Sequence, residues 1–164
     1  MSRHQLAQLN IAELKAPIDS PQLKDFVDNL DRINALAESS PGFVWRLIGE
    51  GNDATSLRPL GENVIVNMSV WQNVSSLRDF VYKSAHVQIL KRKREWFTRM
   101  ADAHMCLWWV PAGHEPTVAE AAQRLEHLRR HGPTPEAFTF VEAFAAPDAI
   151  NAGQPFSIKD ACPA

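Results

Sequence analysis

Between Leu6 and Ala12 apolar positions partly alternate with Gln8 and Asn10, and Ala16-Pro17 closes the run. This predicts a first strand with both amides on one face. Ser20-Pro21 then supplies a cap and a proline at the first helical position. Leu23, Phe26, Val27, Leu30, Ile33 and Ala37 follow at helical spacing, predicting a helix to about Ser39. Pro41-Gly42 breaks it, Phe43 to Leu47 reads as a second strand, and the polar stretch Gly49 to Gly61 as a turn or long loop. Val64 to Trp71 is a third strand. Period two places Val64, Val66, Met68 and Val70 on a dry face, and Ile65, Asn67, Ser69 and Trp71 on the other.

Ser75 or Ser76 is the expected cap of a second helix through Leu77, Phe80 and Val81, which continues or restarts near Ser84 and runs to about Met100. His104 to Pro111 is a fourth strand, with Trp108 and Trp109 on opposite faces. Thr117-Val118-Ala119-Glu120 has the capping-box pattern of a third helix, stopped by Gly132-Pro133. Glu136 to Phe140 is a candidate fifth short strand. The expected organisation is one domain over residues 1–144 and a loosely held C-terminal tail over 145–164.

The order β-α-β-β-α-β over the first ~110 residues is that of a ferredoxin-like split βαβ, an α+β fold with an antiparallel sheet and two helices on one face. Such a plan leaves the other sheet face bare. Self-association of two subunits is the simplest way to cover it, so a homodimer is expected.

Length and charge narrow the partners. A chain of 164 residues, 45% hydrophobic, can bury a sizeable core as one domain. Its 17 basic and 19 acidic residues give a net charge of −2, so no overall field draws nucleic acid or an anionic membrane. MSRHQLAQLN lacks the apolar core of a signal peptide and no apolar run approaches the ~18 residues of a membrane span, so a cytoplasmic protein is expected. Cys106 and Cys162 are far apart and in no CxxC arrangement, which indicates neither zinc nor a disulfide scaffold.

The sequence contains no GxGxxG, Walker loop, GxSxG elbow or HExxH. What remains is a pocket. If the faces carrying Gln8, Asn10, Asn67, Ser69 and Trp71 all point toward the helices, they form a polar patch beneath the second helix. Each amide buried unpaired would cost ~1–3 kcal/mol, so these groups bond one another or meet a ligand or water. On an unbroken second helix Tyr82, His86, Leu90, Lys93 and Phe97 share a stripe beside the core stripe; a break at Lys83-Ser84 alters this and makes Ser84 a cap. His86 is then either a partly exposed helix histidine or a base, a metal or haem ligand, or a hydrogen-bond donor. Lys91 to Arg94 encircles the helix as a solvated run, from which Lys93 is placed to reach an anionic ligand. His114 precedes a helix cap and either covers the helix start or edges the pocket.

The pattern VW-x8-F-x2-KSAH (Val70, Trp71, Phe80, Lys83 to His86), with REWF (Arg94 to Phe97), LWWVPAGHEPT (Leu107 to Thr117) and GPTPEAFTF (Gly132 to Phe140), resembles a bacterial and fungal family catalogued as a domain of unknown function. That family is similar to the antibiotic-biosynthesis-monooxygenase group of dimeric α/β-barrel proteins, and the resemblance spans roughly Gln5 to Phe144. It implies a dimeric α/β barrel and cofactor-free, monooxygenase-like chemistry on an aromatic or polyketide-type substrate. His86 would be the base, and Asn10, Asn67, Trp71, Tyr82 and Trp108 would bind the substrate. The alternative it implies is a haem-binding dimer, with His86 as axial ligand and Asn10 on the distal side. Phe80 stands where the haem-degrading proteins carry Trp, which speaks against haem degradation. A third reading is a dimer that binds a small-molecule ligand without turnover.

Overall fold

The computed structural model describes residues 3–148. The expected tail, apart from its first four residues, lies outside them, as does Cys162. Five strands form one sheet: β1 (His4–Leu14), β2 (Phe43–Arg46), β3 (Val64–Trp71), β4 (Phe97–Thr98) and β5 (Met105–Pro111). All pairings are antiparallel. The order is β2-β3-β1, and β4 and β5 both lie on the far side of β1, β4 against Glu13 and Leu14 and β5 against His4 to Asn10. This is the expected ferredoxin-like arrangement, with β1 and β3 as the central pair. It places Gln8 opposite Ser69 and Asn10 opposite Asn67.

Helix α1 (Lys24–Ser39) follows a 3-10 turn at Pro21–Leu23, for which proline fixes the entry. It packs on the face carrying Leu6, Trp71 and Ile65 together with α2 (Val74–Lys83), α3 (His86–Lys91) and α4 (Lys93–Trp96). The cap of α2 is Asn73 rather than either serine: its Oδ1 accepts from Ser76 N at 2.8 Å and from Ser76 Oγ at 3.0 Å. An amide at the N-cap satisfies a backbone donor that the first helical turn leaves open.

The expected helix from Ser84 to Met100 is shorter and interrupted. After Lys83 the backbone is extended at Ser84 (φ −99°, ψ −179°), α3 begins at His86, and α4 ends at Trp96. Phe97 and Thr98 leave the helix to pair with the end of β1. Packing decides this: the Trp96 and Phe97 rings close on Phe26 of α1 at 5.5 and 5.1 Å. Glu136 to Phe140 is not a full strand. Phe138 exchanges two 2.8 Å backbone hydrogen bonds with Leu107 at the outer edge of β5, and its ring is fully buried.

The dry sheet face is not bare. Helix α5 (Val118–His131) packs on β5 and β1, and its Ala121, Leu125 and Leu128 join Leu9, Ile11, Val66, Met68, Val70 and Trp108 in one buried cluster, with Leu47, Leu57 and Met100 packed against it. Burying each large side chain contributes about 1.5–3 kcal/mol, so this face is a second core layer. The surface expected to need a second subunit is therefore covered within the chain. The helix ends as its sequence predicts. Thr117 Oγ1 accepts from Glu120 N at 3.1 Å, and Gly132 turns the chain at φ 69°. Among the described residues no helix is long and apolar enough to cross a membrane.

Candidate functional site

The amide-bearing faces of β1 and β3 both point to α1 and α2, which meets the condition for a shared polar patch. Gln8 Nε2 donates to Asn67 Oδ1 at 2.7 Å and to Ser69 Oγ at 2.9 Å, and Trp71 Nε1 donates to the same Ser69 Oγ at 2.8 Å. Gln8, Ser69 and Trp71 are buried, at 6%, 7% and 1% exposure. Cross-strand register makes this chain possible, because opposed residues on one face stand within hydrogen-bonding reach. The inner half of the patch thus satisfies itself. Its outer half, Asn10 and Asn67, is exposed, so two neighbouring amides on the sheet present polar groups to solvent on the helix side.

His86 belongs to the same side of the sheet. Its ring lies 5.0 Å from Phe80, and Phe80 stacks on Trp71 at 5.2 Å and 25°. A hydrogen-bonded and stacked series therefore runs from Asn67 through Gln8, Ser69, Trp71 and Phe80 to His86. His86 is half-buried, and Nδ1 stands 3.2 Å from the Val81 carbonyl oxygen. A carbonyl only accepts, so Nδ1 carries the proton and donates, and Nε2 keeps its lone pair. Burial holds the imidazole below its ordinary value, and the Val81 carbonyl partly offsets this. Near neutrality His86 is thus a neutral imidazole with a defined tautomer.

The structure brings Asn10, Asn67, Trp71 and His86 to one side of the sheet. It separates Trp108 from them: that indole is fully buried beneath α5 on the opposite face, against Ala7 across the strands. The alternation of β5 sends Trp109, not Trp108, to the helix side, where Trp109 Nε1 donates to the Phe144 carbonyl at 2.8 Å. Tyr82 is 45% exposed and meets Phe140 edge-on at 5.9 Å. The helix break at Ser84 removes the stripe on which Tyr82 and His86 were to align. Lys93 is exposed on α4. His114 Nε2 lies 3.1 Å from Glu120 and covers the start of α5.

Two contributions come only from the tertiary structure. Phe80 links His86 to Trp71, and the Val81 carbonyl fixes the imidazole; neither spacing nor residue type singles out a main-chain acceptor. A cavity of about 60 Å³ opens on the same side between α1, the loop at Asp53 to Thr55 and the sheet, with Phe26, Leu30, Asn34, Arg46 and Asn67 in its wall. His86 does not line it. At ~30 Å³ per water molecule, this volume suits two waters, whereas ligand pockets usually span ~300–1,000 Å³. Among the described residues no group of three or more His, Cys, Asp or Glu side chains could hold a metal ion.

Three solved structures are similar at low identity. The cofactor-independent oxygenase SnoaB of Streptomyces nogalater is 16% identical, covering 70% of this chain and 96% of its own, with a TM-score of 0.45. A protein of unknown function from Nitrosomonas europaea is 10% identical, covering 70% and 95%, at 0.44. A candidate antibiotic biosynthesis monooxygenase from Chloroflexus aurantiacus is 12% identical, covering 70% and 98%, at 0.42. No curated protein matches the chain. Residues 5–154 match the model of one family, and the chain belongs to it: the family described as a domain of unknown function, DUF3291.

Proposed function

We propose that the protein is a small-molecule enzyme in which neutral His86 takes a proton from a phenolic or enolic substrate, which then reacts with dioxygen without a nucleotide cofactor. The observation that carries this reading is the hydrogen bond from His86 Nδ1 to the Val81 carbonyl, which leaves Nε2 as the basic atom. Asn10 and Asn67 supply exposed amide donors for substrate oxygens on the same side of the sheet, and the half-buried Phe80, backed by Trp71, offers an apolar ring against which an aromatic substrate packs. Nε2 takes one of two hydrogens from the reacting carbon as a proton, and the carbanion and dioxygen form a carbon–oxygen bond. Nε2 returns the proton to the resulting peroxide, and loss of the second hydrogen with cleavage of the oxygen–oxygen bond releases water and leaves a carbonyl on that carbon. One oxygen atom ends in the product and the other in water.

The test is oxygen consumption with a panel of phenols and enolisable aromatic ketones, for the parent and for His86→Ala. The expected result is uptake that falls by at least ~10²-fold in the variant, the usual contribution of a positioned base. Uptake equal in both proteins would remove His86 as the base. Saturable substrate binding with no uptake would favour a dimeric or monomeric binding protein without turnover. A haemin titration beside it tests the haem alternative: a Soret band that His86→Ala abolishes would make His86 an axial ligand rather than the base.

A further inference from the structure

We propose that Ser84 is a positioning residue: by breaking the helix it frees the Val81 carbonyl to hold His86 in the Nδ1–H tautomer. The proposal rests on the reading of His86 as a base and names what sets its basic nitrogen.

In a continuous helix the Val81 carbonyl would accept from Ala85 N, four residues on. Helix α2 ends at Lys83 instead, and Ser84, with ψ −179°, turns the following amide away from that acceptor. Ser84 stabilises this break with its own side chain. Its Oγ donates to the Phe80 carbonyl and accepts the His86 N–H at 3.1 Å. The next turn then starts afresh, with Val87 N donating to the Ser84 carbonyl at 3.1 Å and Gln88 N to that of Ala85 at 3.1 Å. One hydroxyl thus ties down the end of α2 and the backbone of His86 together. Serine suits this place because its short side chain bonds local main-chain groups that a helix would otherwise pair.

The consequence lies at the ring. The Val81 carbonyl, released from helical pairing, is 3.2 Å from His86 Nδ1. A backbone acceptor of this kind selects which ring nitrogen holds the proton, and so which one is free to act. The break also separates His86 from the Tyr82 stripe and sets its ring against Phe80 at 5.0 Å.

The experiment is a two-bond ¹⁵N–¹H correlation spectrum of the imidazoles in the full chain without substrate, above the histidine titration range, with His86 assigned through His86→Asn. The parent is expected to show His86 mainly as the Nδ1–H form. In Ser84→Ala the ratio of Nδ1–H to Nε2–H should fall roughly fivefold, the worth of one net hydrogen bond. Ser84→Thr, which keeps the hydroxyl, should restore it. Ser84→Gly accepts the same backbone angles but lacks the hydroxyl, so it replaces the alanine variant if that one does not fold. A parent spectrum showing the Nε2–H form, or an unchanged ratio in the folded alanine or glycine variant, overturns the proposal. The spectrum is read without turnover, so a chain that consumes no oxygen with any substrate still gives a decisive answer about Ser84.

Discussion

Ser69→Ala removes one hydroxyl from a buried site, a change that ordinarily costs little, yet the structure makes it expensive. Ser69 Oγ accepts from both Gln8 Nε2 and Trp71 Nε1. Trp71 is 1% exposed, so its indole N–H would be left buried and unpaired, at ~1–3 kcal/mol. Gln8 keeps its bond to Asn67 Oδ1 but loses the second acceptor, at about 1 kcal/mol. The expected destabilisation is therefore about 2–4 kcal/mol. For a chain of this size that corresponds to a melting temperature lower by roughly 6–12 °C. Urea unfolding of the parent, Ser69→Ala, Trp71→Phe and the double variant would measure the bond itself. Trp71→Phe loses ring volume in either background, so that cost cancels in the cycle, and a coupling of about 1–2 kcal/mol between the two sites should remain. A Ser69→Ala change within ~0.5 kcal/mol of the parent, or no coupling, would refute the claim that the patch satisfies itself.

Three further outcomes follow from the same geometry. Burial holds the His86 imidazole below its ordinary range, so the folded chain binds that proton less readily than the unfolded one. Stability should therefore fall as pH drops through ~6.5 and rise as pH increases; urea midpoints between about pH 5 and 7.5 should show a smaller slope for His86→Asn than for the parent, and equal slopes would contradict the assigned burial. Gly42 (φ 86°) and Gly132 (φ 69°) both adopt backbone angles that favour glycine, but a Cβ at Gly42 would sit 2.2 Å from Ser76 Oγ while one at Gly132 meets nothing within 4 Å. Gly132→Ala should cost about 1–3 kcal/mol from the backbone alone and Gly42→Ala clearly more, as thermal melts would show; the reverse order would refute the contact. Thr117→Ala should cost about 1 kcal/mol by removing the cap on Glu120 N, whereas loss of the Asn73 cap through Asn73→Ala should loosen α2 by a similar amount; helix-specific amide exchange distinguishes the two.

Local signals carried much of the architecture. Period-two alternation grouped Gln8 with Asn10 in β1 and Asn67 with Ser69 and Trp71 in β3, because a strand's pleat assigns faces without reference to the rest of the chain; the antiparallel register then set the two groups on one side. The proline entry before α1, the cap and stop of α5 and the ferredoxin-like order were legible for the same reason: caps, prolines and glycines act within a few residues, although Ser20 makes no side-chain capping bond and α1 itself begins only at Lys24. Tertiary structure decided the rest. Alternation shows that Trp108 and Trp109 face opposite ways, but not which of them faces the helices; α5 closing on the dry face settles it, and with it removes the need for a second subunit there. The pattern Phe97-Thr98 suits a helix until β1 offers an open edge and Phe26 a ring to pack on. His86 shows the limit most directly. Its residue type announces possible chemistry, but its usable nitrogen depends on a main-chain carbonyl freed by a break in the helix, and a backbone acceptor leaves no residue-type signature to read.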